Sequence, residues 1–124
     1  MSANFPSSLF ADPVPAGALQ HPNLRIQPVL CDAMEPTYRR GRDYVMVVPT
    51  EQYHYPTLYV LEMNGAAVVR RVEGRLDGRI HVMTDRKEYS DYFLTREEFE
   101  TAVLGIVVAD VVVRDENLIR KAVS

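Results

Sequence analysis

Cys31-Asp32-Ala33-Met34-Glu35-Pro36-Thr37, running into Gly41-Arg42-Asp43-Tyr44-Val45, is the stretch that decides the fold. Pro36 and Gly41 oppose a continuous helix, so residues 34–42 read as a turn with room for one helical turn. Tyr44-Val45-Met46-Val47-Val48 follows at once, and its β-branched content marks a buried strand.

Outward from that loop, the chain reads as short strands. Upstream, Leu24-Arg25-Ile26-Gln27-Pro28-Val29-Leu30 partly alternates, as a half-buried strand does. Downstream, residues 49–56 form a loop between two prolines. Residues 58–63 and 66–72 flank Asn64-Gly65, a strong hairpin signal. Asp77-Gly78 marks a second tight turn into residues 79–84. Thr95-Arg96-Glu97-Glu98 has the spacing of a helix capping box, so a short helix starts there. Residues 103–113 form a long apolar strand, expected to be kinked or bulged at Gly105. Strands at this spacing, joined by tight turns, predict an all-β, mainly antiparallel fold. A β-sandwich or partly open barrel with one or two short helical turns fits the pattern.

Residues 1–23 carry Pro6, Pro13, Pro15 and Pro22 and read as an extended arm, with Phe5, Leu9 and Phe10 able to dock. Residues 24–113 are the domain, and residues 114–124 a polar tail with one or two helical turns. The 124 residues suffice for one domain. The 47% hydrophobic content supplies a core without metals or disulfides. The single cysteine, Cys31, excludes an internal disulfide framework and fits a reducing cytoplasm. No apolar stretch reaches the ~20 residues of a membrane span, and no signal peptide is visible. His21, His54 and His81 are scattered without metal-ligand or triad spacing, so neither metal nor cofactor is expected.

The net charge of −3 disfavours a dedicated nucleic-acid binder. Two basic clusters, Arg39-Arg40 with Arg42 and Arg70-Arg71 with Arg75, are short and interleaved with acids. They read as solvated surface, and direct DNA binding is the weaker alternative.

The 31–45 stretch resembles the nucleophile loop of the LexA, UmuD and phage-repressor C-terminal peptidase family, and more distantly that of signal peptidases. That family places Gly-Asp-Ser-Met-x-Pro-Thr before a Gly-Asp strand entry. Asp32, Met34, Pro36 and Thr37 fit; Cys31 replaces the glycine and Ala33 stands at the serine. Ala67-Val68-Val69-Arg70-Arg71-Val72 looks like the family's second catalytic strand, with Arg70 at the lysine, 37 residues after Ala33. Asp85 to Tyr89 resembles its Asp-Asn-x-x-Tyr turn, with Arg86 at the asparagine. Leu104-Gly105-Ile106-Val107-Val108 resembles its closing strand. The resemblance spans residues 25–113.

The resemblance implies a serine hydroxyl that attacks a carbonyl and a neutral lysine that takes its proton. A methyl group cannot attack, and a guanidinium stays protonated. The dyad positions Ala33 and Arg70 are therefore degenerate, and the domain is expected to be inactive as a serine–lysine peptidase. A peptidase whose serine has been mutated is the alternative. The remaining shell of Cys31, Asp32, Met34, Glu35, Pro36, Thr37, Arg70 and Arg71 is a candidate binding cleft, facing Arg70. Structural roles are favoured for Met34, packed under the loop, and for Asp32, a turn residue or an orienter of amides. Cys31 reads as a small buried residue rather than a replacement nucleophile. Ala16-Gly17 has the form of the family's self-cleavage dipeptide, but lies closer to Ala33 than the family implies and is ordinary loop composition.

In the family this domain also dimerises, which needs no dyad. An apolar edge invites association, so Ile106, Val107, Val108, Val111 and Val113 are candidate interface residues if the last strand lies at an edge; a central position is the alternative. The implied role is a homodimeric interaction module in transcriptional regulation, the DNA-damage (SOS) response or a prophage response. Its partner would be a related repressor or a DNA-transaction protein.

Overall fold

A computed structural model of the chain describes residues 12–124. Phe5, Pro6, Leu9 and Phe10, expected in the arm, lie outside the described residues. The apolar runs become seven strands: β1 (Arg25–Pro28), β2 (Asp43–Pro49), β3 (Thr57–Met63), β4 (Ala66–Gly74), β5 (Ile80–Met83), β6 (Tyr92–Leu94) and β7 (Val103–Val112). They form one antiparallel sheet in the order β1-β2-β7-β3-β4-β5-β6, which does not close into a barrel. Two short helices join it, α1 (Arg96–Ala102) and α2 (Glu116–Val123). The all-β, antiparallel expectation holds. No helix among the described residues is long and apolar enough to cross a membrane.

Local chemistry sets the boundaries. Asn64 and Gly65 both take positive φ, 53° and 82°, as the tight β3–β4 turn requires. The capping box at the start of α1 is complete. Thr95 Oγ1 accepts the Glu98 amide at 3.0 Å, and Glu98 Oε1 accepts the Thr95 amide at 2.8 Å. This satisfies two donors that the first helical turn would leave unpaired.

Side chains alternate across a strand, so the sheet has two faces. One buries Tyr59, Leu61, Val72, Ile80, Val82, Val103 and Ile106, with Phe99 of α1 pressed onto them. Phe99 is fully buried, and that contributes about 2–3 kcal/mol. The other face carries Val45, Val47, Val60 and Val69, covered by Val29, Met34 and Tyr38. The loop after β1 is thus the lid of the second core.

Two expectations need correction. The 1–23 arm was expected to be extended, yet Ala16–Gln20 form a 3-10 turn. Pro15 caps it, a position at which no amide is needed, and its carbonyl accepts the Ala18 amide at 2.9 Å. The edge position considered for the last strand is also overturned. β7 lies between β2 and β3, paired with both. A long apolar strand gains in the middle of a sheet, where its amides are satisfied on both sides. The pairing is lopsided, however. β3 reaches only from Val103 to Ile106, whereas β2 pairs with β7 as far as Val112.

The registers skip Val108 against β2 and Leu104 against β3. Bulges therefore flank Gly105 rather than sit on it. Gly105 answers to close approach: a Cβ there would meet Val47 Cγ1 at 2.3 Å and the Val48 carbonyl oxygen at 2.8 Å.

Candidate functional site

The loop carrying Ala33 is pinned at both ends. The Val29 amide donates to the Asp43 carbonyl, and the Gly41 amide to the Val29 carbonyl, each at 3.0 Å. Between them Asp32–Met34 make a 3-10 turn, closed by the Glu35 amide on the Asp32 carbonyl at 3.1 Å. Ala33 and Met34 are buried, with Ala33 at 0% exposure. Met34 packs under the loop, as expected.

A second segment, residues 84–89 beyond β5, braces this turn from outside. The Arg86 amide donates to the Ala33 carbonyl at 2.9 Å. The Arg86 guanidinium donates to Asp32 Oδ2 at 2.5 Å and lies 3.8 Å from Glu35. The Tyr89 hydroxyl donates to Asp32 Oδ1. Both oxygens of Asp32 are therefore taken. The Tyr89 hydrogen bond, with the Arg86 charge, holds the Asp32 carboxyl below the usual range, and the Tyr89 phenol is raised in return. Asp85 accepts the Thr37 hydroxyl at 2.5 Å and both Arg71 nitrogens, Nε at 2.8 Å and Nη2 at 2.7 Å. The Arg71 hydrogen bonds lower the Asp85 pKa. Underneath, the Tyr38 hydroxyl donates to Asp110 at 2.6 Å, and burial pushes the phenol well up.

Arg70 and Arg71 are adjacent on β4, so they leave opposite faces of the sheet. Arg71 shares the face of Val69 and is the arginine tied to the loop, through Asp85 and Thr37. Arg70 sits on the face of Val72, 8% exposed, and donates to the Val69 carbonyl at 2.8 Å. Of the two arginines expected in the cleft, Arg71 is the one joined to the loop by hydrogen bonds, while Arg70 leaves the other face. The cause is the two-residue strand period, which spacing along the chain alone did not resolve.

The other expected residues scatter. Cys31 is half-buried. No histidine serves it: His21 accepts the Asn23 amide, His54 pairs with Thr50 at 2.6 Å and His81 with Asp91 at 3.2 Å. Pro36 follows a cis peptide bond. Ala16 and Gly17 are exposed in their 3-10 turn. Ile106 is buried in the core and cannot form an interface, and Val107 packs against the second core. Val108 is exposed, while Val111 and Val113 are half-buried.

Three of the six arginines in the basic clusters are in ion pairs. Arg42 pairs with Asp43 at 2.7 Å, Arg71 with Asp85, and Arg75 with Glu73 at 3.4 Å. Among the described residues no three metal-ligating side chains converge. Asp85, Arg86 and Tyr89, which brace the turn, are not among the residues expected to line the cleft. The mismatch of Arg86 with an asparagine position, beside an unpaired acidic loop, was the available signal.

Chemically, the turn offers a sealed methyl where the resemblance places a hydroxyl. Around it stands a ring of satisfied carboxylates and guanidiniums. Residues 10–108 match the family model described as Peptidase S24-like. No curated protein matches the chain.

Proposed function

The chain belongs to the Peptidase S24-like family, that of LexA, UmuD and the phage repressors, and from that premise we propose that it acts without peptidase chemistry, as a dimerising protein-interaction module. The observation that carries this reading is Ala33. It stands at the family's serine position, fully buried, with its carbonyl held by the Arg86 amide. A nucleophile must reach a substrate carbonyl, and this position offers neither a lone pair nor access. Arg70, at the lysine position, keeps its proton and cannot serve as base.

The working unit is residues 24–113, and the setting is a reducing cytoplasm in which Cys31 stays free. The role is regulation of transcription or of a DNA-damage or prophage response, through a related repressor or a DNA-transaction protein. Dimerisation is supported by the far half of β7, where Val108 and Val112 are 50% and 60% exposed and β3 no longer pairs. The sheet there leaves one flank able to accept a second strand.

The test is incubation of the full chain at alkaline pH, followed by mass spectrometry, beside the Ala33→Ser/Arg70→Lys double variant. The unchanged chain stays intact; a fragment from it overturns the non-catalytic reading. Cleavage confined to the double variant traces the loss to those two positions. Sedimentation at micromolar concentration shows a dimer; monomer alone removes that half of the proposal.

A further inference from the structure

α2 is an amphipathic helix that buries none of its own residues. Leu118, Ile119, Ala122 and Val123 fall at i, i+1, i+4 and i+5, so they form one apolar stripe. A surface helix normally presses such a stripe into the core of its domain. Here Leu118, Ile119 and Val123 stay 62%, 50% and 79% exposed. The Ile119 side borders Gly41, Tyr44 and Val113 without being covered by them. Eight residues are also fewer than the ~12–15 that hold an isolated helix in water. Two local contacts help it. Asp115 accepts the Leu118 amide at 2.9 Å, and Glu116 pairs with Arg120 at 3.2 Å. Neither covers the stripe.

The charges on α2 point to what covers it. Asp115 and Glu116 stand at its start, Arg120 and Lys121 at its end. A second α2 laid parallel puts acid beside acid and base beside base. Laid antiparallel, it puts acid beside base at both ends, and the two stripes meet between them. Glu116 and Arg120, one turn apart, flank the same edge of the stripe. An antiparallel pair brings like edges together, so Glu116 of each copy faces Arg120 of the other. One twofold axis satisfies both contacts, as a symmetric dimer requires.

We propose that α2 is a self-pairing clamp, its apolar stripe packed antiparallel against α2 of a second copy of this chain. The proposal rests on the reading of the domain as a dimer and deepens it by assigning a contact. α2 lies beyond residues 10–108, the part that matches the family model, so the clamp is a feature of this chain rather than of the shared domain. It is also separate from the flank of β7, so mutation can remove it alone.

The experiment is sedimentation equilibrium of the full chain across micromolar concentrations. Leu118→Gln/Val123→Gln changes two side chains that the single chain leaves exposed, so its thermal melt should match wild type. Its dimer dissociation constant should rise at least about tenfold. Glu116→Arg and Arg120→Glu, each alone, should weaken the dimer about threefold or more, by placing like charges across the axis. Mixed one to one, these two variants should form a heterodimer as tight as the wild-type dimer. A Gln/Gln variant that dimerises like wild type overturns the clamp and leaves the β7 dimer standing. Charge variants that weaken the dimer but do not rescue each other overturn the antiparallel second copy as the occupant. A wild-type chain that stays monomeric overturns the dimer reading itself, and the clamp with it.

Discussion

Arg71 holds Asp85 through two parallel hydrogen bonds, 2.8 and 2.7 Å, and the same carboxylate takes the Thr37 hydroxyl at 2.5 Å. One side chain from beyond β5 thereby ties the second strand of the resemblance to its loop. Arg86 repeats the arrangement one residue later, with its amide on Ala33 and its guanidinium on Asp32.

Asp85→Asn should loosen this brace. It removes a charge-assisted fork and weakens the bond to Thr37, at a cost of about 1–3 kcal/mol. Arg71 is 42% exposed, so solvent screening places the loss toward the lower end. The sign with pH follows from the lowered Asp85 pKa. A carboxyl depressed in the folded state contributes stability that is present above its unfolded pKa, about 3.9, and is lost as pH falls through the folded value. Urea titrations of wild type should show stability falling below about pH 4. The variant should show a shallower fall, and equal slopes would remove Asp85 from the account.

Gly105→Ala should destabilise by about 1–3 kcal/mol through overpacking. The added Cβ meets Val47 Cγ1 at 2.3 Å and the Val48 carbonyl oxygen at 2.8 Å. Combining it with Val47→Ala relieves the first clash but not the backbone one. Thermal melts should therefore show no full recovery in the double variant. A neutral single variant would mean that β2 and β7 can separate freely at this point.

Arg70→Met should raise stability, the reverse of the usual sign for a buried substitution. Removing a buried charge that no carboxylate compensates is expected to gain about 1–3 kcal/mol. Chemical denaturation measures this directly. A loss of similar size would show that the guanidinium is compensated within the fold.

Much of the fold was legible because its signals are local. Asn64-Gly65 dictates a tight turn by backbone φ, and Thr95 with Glu98 dictates a helix start by reciprocal hydrogen bonds. β-branched runs dictate strands. The 31–37 loop was legible as well, as a pattern of residue types in order. The 3-10 turn at Ala16–Gln20 was not legible, because prolines oppose a helix only from within it, and Pro15 stands outside as the cap.

What the sequence alone determined is the set of strands, the turns between them and the residue types, alanine and arginine, that stand at Ala33 and Arg70. Only the tertiary structure decided which arginine serves the loop, where β7 sits and what closes the Ala33 turn. Arg70 and Arg71 differ by one step along the chain, yet that step moves a side chain across the sheet. Arg86 and Asp32 meet across 54 residues, and Thr37 and Asp85 across 48. Such contacts depend on strand order, and periodicity encodes how a strand faces the core but not which strand lies beside it.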